Sequence, residues 1–122
     1  MNDAGDEVRG TVLIAVSEPM VGRIIEHKLR REGHAVTSCN DAEAVADVKH
    51  EQFDVVIAEP ALLSPDTGGV GDECGWLAVV AAGDDAAAHA AMTRGAAGLV
   101  RTPFKPTDVA AQVDALLRMV RA

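Results

Sequence analysis

Thr11-Val-Leu-Ile-Ala-Val16 is an almost unbroken apolar run, and further short strand-like segments follow at His34–Cys39, Phe53–Ala58, Trp76–Ala81 and Ala97–Val100. No other feature restricts the fold as much. A strand with one wet face alternates apolar and polar side chains, whereas a strand covered on both faces reads as continuous apolar sequence, as in a parallel sheet. Such strands need helices above and below them. The intervening segments supply helical patterns. From Pro19, the residues Val21, Ile24, Ile25 and Leu29 share one helical face, with Arg23, Glu26, Lys28, Arg30 and Arg31 elsewhere, and Gly33 stops the helix. Asn40 with Glu43 reads as a capping pair opening a helix to about His50. Asp84 and Asp85 introduce an Ala-rich helix that ends near Gly95. Pro106 sits at a first helical position, ahead of a stripe of Val109, Val113, Leu116, Leu117 and Val120.

Strands alternating with helices predict an α/β domain, a doubly wound, flavodoxin-like sheet of five parallel strands with helices on both faces. The third interval is the exception. Pro60 to Gly75 carries Gly68, Gly69, Gly71 and Gly75 with Pro60 and Pro65, and has no helical stripe. Each glycine costs about 1 kcal/mol relative to alanine inside a helix. The third helix is therefore expected to be shortened or replaced by a Gly-rich loop with at most one helical turn. Residues 1–9 are polar and without period, so they read as a flexible leader, and 10–122 as one domain.

The net charge of −8 opposes binding of the whole domain to nucleic acid or an anionic membrane. The charge is uneven: from Arg94 onward Arg94, Arg101, Lys105, Arg118 and Arg121 outnumber Asp108 and Asp114. A second basic cluster, Arg23, His27, Lys28, Arg30 and Arg31, lies on the first helix. Either is a solvated face or a contact for an acidic partner. Cys39 ends an apolar run and reads as a buried small hydrophobe; Cys74 lies in a loop. Neither has the spacing of a metal site. The four histidines fall on different elements and read as solvent-exposed helix or strand-end residues. With no signal pattern and no spanning apolar run, a soluble, cytoplasmic protein is expected.

Three segments resemble the receiver domains of two-component response regulators. Val12-Leu-Ile-Ala-Val-Ser-Glu-Pro19 is similar to the receiver opening, where an acidic pair and a third acid precede Pro. Phe53-Asp-Val-Val-Ile-Ala-Glu-Pro60 resembles the strand that ends in the phosphoacceptor Asp. Arg94-Gly-Ala-Ala-Gly-Leu-Val-Arg-Thr-Pro-Phe104 resembles the stretch in which Gly-Ala leads through a strand to Lys-Pro-Phe. The segments stand in the family's order, and the likeness runs from about Thr11 to the end. The interval between the third and fourth strands is shorter than the family's by about a third.

Carried over residue by residue, the resemblance implies a degenerate site. The metal-holding acidic pair falls on Val16 and Ser17, and Glu18 alone matches the third acid. The phosphoacceptor falls on Glu59. The switch hydroxyl falls on Val80 or Ala81, the switch aromatic on Leu99, and the Lys on Thr102. Every position departs from the pattern. Transfer of a phosphoryl group to an Asp needs a divalent cation and an ammonium to neutralise developing charge, and losing both removes most of the electrostatic stabilisation. A cation with octahedral demands finds no oxygen on Val16 and a neutral one on Ser17.

The expectation is an atypical pseudo-receiver in signal transduction, with no enzyme activity, metal or cofactor. It would act by phosphorylation-independent contact with a kinase, an output protein or a second copy. The last two helices and fifth strand would form the contact face, bearing Arg94, Arg101, Lys105 and Arg118. Two alternatives stay open. One is a small-molecule module whose crevice is lined by Ser17, Glu18, Glu59, Ala82 and Thr102. The other is a conventional receiver phosphorylated at Glu59 or Asp66. Glu59 is also a candidate mimic of a phosphorylated Asp, with one charge where a phosphate carries about 1.5 to 2.

Overall fold

The computed structural model describes residues 10–40, 53–62 and 75–121. The expected leader, the helix expected up to His50, the glycines Gly68, Gly69 and Gly71, Asp66 and Cys74 lie outside them. The chain runs β1 (Thr11–Ala15), α1 (Pro19–Arg31), β2 (Ala35–Cys39), β3 (Val55–Ala58), a single 3-10 turn (Pro60–Leu62), β4 (Gly75–Ala81), α2 (Asp85–Thr93), β5 (Gly98–Thr102) and α3 (Pro106–Arg121). All neighbouring strands are parallel, in the order β2-β1-β3-β4-β5. The chain steps outward from β1 to β2, then returns past β1 to β3. That reversal opens a crevice beyond the carboxyl ends of β1 and β3, where open α/β sheets place their sites.

The apolar runs of β1, β3 and β4 have the anticipated cause, since both faces of these central strands are covered, whereas β2 at the edge is mostly exposed. Val12, Ile14, Val55, Ile57, Leu77, Val79 and Val100 point to one side and pack with Ile25 and Leu29 of α1 and Val109, Val113, Leu116 and Leu117 of α3. Leu13, Ala15, Val56, Ala58, Trp76 and Ala78 point to the other, with Ala91 of α2 and Ala96. The second layer is built mostly from alanine. Trp76 is its large buried ring, only 3% exposed, with half-buried Phe53 packed against the layer.

Several expectations shift at the edges. Gly75 is a strand residue, not part of the loop: it pairs with Val55 of β3, and α3 crosses it so closely that a Cβ there would run into the Leu116 side chain. β5 runs on to Thr102, so Arg101 and Thr102 are strand residues. Ile24 is 43% exposed, not on the core face of α1. The buried line is Gly22, Ile25 and Leu29, and Ile24 joins Met20 in a second stripe one helical step away. Gly33 ends α1 with φ of +94°, the left-handed conformation that glycine adopts without steric cost.

His34 is at a strand end but buried, against expectation. Its Nδ1 accepts from the Gly10 amide at 3.1 Å, and Nε2 lies 3.5 Å from Asp114 Oδ1 of α3. An accepting Nδ1 carries no proton, so the ring is the neutral Nε2–H tautomer facing the carboxylate. Cys39 is half-buried, not fully buried as expected. No helix among the described residues is long and apolar enough to cross a membrane.

Candidate functional site at the ends of β1 and β3

The crevice is built by two strand ends in register, with Ala15 paired to Ala58. Val16 follows β1 and stays in the core, 1% exposed. α1 comes close enough there that a Cβ on Gly22 would lie 3.1 Å from Val16 Cγ2. Ser17 and Glu18 are exposed. Glu18 is the amino-terminal cap of α1, its Oε1 accepting from the Met20 amide at 3.3 Å. An acid there satisfies an orphan amide and faces the positive end of the helix dipole.

Glu59 follows β3. Its amide donates to Ala15 O at 3.0 Å, which extends the ladder by one rung and fixes its backbone. Its Oε1 then accepts from the Ser17 amide at 3.2 Å. The carboxylate therefore spans the crevice and ties the β1–α1 connection to the end of β3.

This donor set does not fit a divalent cation. Of the two acidic-pair positions, one is an apolar core residue and the other turns its backbone N–H toward Glu59. Glu18 is committed to capping α1. What remains is one carboxylate already bonded to an amide donor, and a magnesium ion would have to displace that donor to gain a single ligand. Among the described residues no group of three or more His, Cys, Asp or Glu side chains converges on a metal-sized space.

The remaining positions lie along β4 and β5. Val80 is buried and pairs with Arg101; Ala81 is exposed and pairs with Thr102. The Ala82 amide donates to Thr102 O at 2.9 Å, closing this end of the sheet. Thr102 is half-buried and precedes a cis peptide bond to Pro103. Leu99 is half-buried against the second core layer.

The basic residues expected on one face divide. Arg101, Lys105 and Arg118 are exposed on β5 and on and before α3. Arg101 Nη1 lies 3.8 Å from exposed Asp85, a pair of little weight. A groove of about 380 Å³ runs beside β5, lined by Leu99, Arg101, Phe104, Lys105 and Asp108 among others. Arg94 is exposed too, but is tied down on a different side: Nη1 donates to Pro60 O at 3.0 Å, and the guanidinium carbon lies 5.3 Å from the centre of the Trp76 ring. Sequence reasoning missed that arrangement, since an Arg and a Trp eighteen positions apart carry no local signal. It also missed a shallow apolar groove of about 400 Å³ along α1, formed by Met20, Ile24 and Pro106 and rimmed by Arg23, His27, Lys28 and Arg31. The signal for the groove was present, as Met20 and Ile24 stand four apart.

No protein-family profile matches the chain. Among curated proteins it is 29% identical over 119 residues to the probable transcriptional regulator ycf27 of Guillardia theta, a match covering 92% of this chain and 47% of that protein. The chain thus spans about half the length of this curated relative. Among solved structures, NtrX from Brucella abortus superposes with a TM-score of 0.81 at 20% identity, over 93% of this chain and 28% of that one. A putative response regulator from Chloroflexus aurantiacus matches at 0.77 and 22% identity, over 91% and 99% of the two chains. A response regulator receiver domain protein from Clostridium thermocellum matches at 0.75 and 19%, over 91% and 96%. The structural neighbours are receiver domains of response regulators, and the fold is the flavodoxin-like receiver fold that the three sequence segments resemble.

Proposed function

We propose that the chain is a receiver-fold module of two-component signalling that works by protein contact and accepts no phosphoryl group. The observation that carries this reading is the Glu59–Ser17 bond of 3.2 Å. Where phosphoryl transfer needs a cation and an ammonium, the chain places a carboxylate closed on a backbone amide, and Thr102 stands at the position that the resemblance gives to the ammonium. Such a site neither recruits the cation nor offsets charge building on phosphoryl oxygens. The closed crevice also acts as a fixed state. The loop that a metal and a phosphoryl group would otherwise organise is already tied to β3.

Contact, rather than chemistry, is then what remains. Two surfaces support it. The groove on α1 exposes Met20 at 61% and Ile24 at 43%, ringed by positive charge in a chain of net −8. The β5–α3 side carries Arg101, Lys105 and Arg118 beside an edge strand. Both suit a partner with acidic and apolar residues on one face, whether a kinase, an output protein or a second copy. Incubation with Mg²⁺ and acetyl phosphate, followed by intact mass, tests the reading: the mass stays unchanged. A gain of one phosphoryl group at any residue overturns it.

A further inference from the structure

The switch hydroxyl and aromatic positions hold Val80 or Ala81 and Leu99, so the relay they would form is absent. A different connection occupies the same route. Glu59 is flanked on both sides by carbonyls held from β4 and α2. On one side, Trp76 Nε1 donates to Ala58 O at 3.1 Å, within a layer where the ring is 3% exposed. On the other, Arg94 Nη1 donates to Pro60 O at 3.0 Å. The two side chains also touch each other, with the guanidinium over the indole face at 5.3 Å, within the range where a cation and a ring attract.

The ends of this connection lie on different parts of the molecule. Arg94 is the carboxyl-terminal cap of α2, and its amide bonds to Ala90 O and Ala91 O. Gly95, at φ +107°, turns the chain from there toward β5. The Ala97 amide then donates to Trp76 O at 2.7 Å, so β5 begins one residue after a bond to the same tryptophan. At the other end, the Glu59 carboxylate holds the Ser17 amide. A displacement of the Glu59 turn must therefore either carry Arg94 with it or break a bond made by a charged donor.

We propose that Arg94 and Trp76 form the mechanical link between the crevice at Glu59 and the α2–β5 face, so that a change at the Glu59 carboxylate is felt at the end of α2. The link is independent of phosphate chemistry. It has two fixed bonds, one on either side of Glu59, and one ring contact between the two donors, and small shifts pass through packed, bonded contacts of this kind.

A double-mutant cycle read by amide chemical shifts tests it. Glu59→Gln in the otherwise unchanged protein is expected to shift the Ser17 amide, the Trp76 indole N–H and the amides of residues 92–98. In an Arg94→Ala background the same substitution still shifts Ser17, while the response over residues 92–98 falls by half or more. Trp76→Phe keeps the ring and removes the indole donor, and is expected to reduce the response over residues 92–98 while leaving Ser17 responsive. Arg118→Ala, an exposed change on α3, leaves the pattern intact. The proposal fails if residues 92–98 respond equally with and without Arg94, or do not respond while Arg94 is present. Neither result bears on whether the chain accepts a phosphoryl group, so this inference and the functional proposal stand or fall separately.

Discussion

Replacing Glu59 with the shorter acid isolates what its carboxylate does. If negative charge in the crevice is all that matters, Glu59→Asp is harmless and Glu59→Gln harmful. If reach matters, the order reverses. The geometry predicts reach. The backbone at position 59 cannot advance, because its amide is bonded to Ala15 O at 3.0 Å. An Asp is shorter by one carbon–carbon bond, about 1.5 Å, which opens the 3.2 Å contact with Ser17 toward about 4.7 Å and ends the hydrogen bond. A bond from an amide to a carboxylate is worth about 1.5–3 kcal/mol when shielded. Glu59 is only half-buried, so solvent screening brings the loss in Asp to about 1 kcal/mol. For a domain of this size that lowers Tm by about 4 °C.

Glu59→Gln keeps an oxygen at the same reach and loses the charge, so it retains roughly half of the stabilisation. Urea or thermal unfolding should rank the proteins wild type, then Gln, then Asp. The Ser17 amide should shift in both variants and reach its unbonded position only in Asp. An Asp variant as stable as wild type, or more stable than Gln, would refute the reasoning. The Asp variant should also remain unphosphorylated by acetyl phosphate with Mg²⁺, since the cation ligands and the ammonium are still missing.

Other substitutions test the frame around the site. Gly75→Ala forces a methyl group against Leu116 and should cost about 1–3 kcal/mol in chemical denaturation; in the Leu116→Ala background the same change should cost at least 1 kcal/mol less, and strict additivity would contradict the close crossing of α3. Glu18→Ala removes the cap of α1 and should cost about 1 kcal/mol. If Glu18 held a cation instead, millimolar Mg²⁺ would stabilise the wild type and not the variant; equal Tm with and without Mg²⁺ is expected. At the two acidic-pair positions, Val16→Asp should cost about 3–5 kcal/mol because it buries an unpaired carboxylate in the first core layer, while Ser17→Asp on the exposed loop should stay within about 0.5 kcal/mol. Similar losses at both positions, measured by urea unfolding, would place Val16 outside the core.

The parts of this molecule legible in sequence are those set by periodicity. Continuous apolar runs implied strands covered on both faces, and the cap signals at Pro19, Gly33 and Asp84 marked helix ends that the structure places within a residue or two. What was not legible depended on distance through space. His34 looks like any strand-end histidine until Gly10 and Asp114 close around it. Ile24 was assigned to the core because four apolar residues within nine positions suggest one broad face, whereas the glycine at 22 lets α1 sit so close to β1 that a narrower line is buried. At the site, residue identities were readable through the resemblance, but their uses were not: nothing in the order Val16, Ser17, Glu18 says that the last caps a helix or that the middle one presents its amide to Glu59.

The departures from the receiver pattern that the sequence resembles do not all have the same physical standing. Ser17 and Thr102 are rim residues; exchanging them alters the crevice and little else. Val16 is different, since it packs with Ile14 and Ile25 and against the close approach at Gly22. An acid placed there would lower folding stability while α1 keeps its present seat. Glu59 is similarly embedded, because its side chain bridges the end of β3 to the β1–α1 connection through the Ser17 amide. On the proposed reading, the residues that leave the site without cation ligands are also ones that pack the core and close the loop bond, so Val16 and Glu59 as they stand hold the crevice closed.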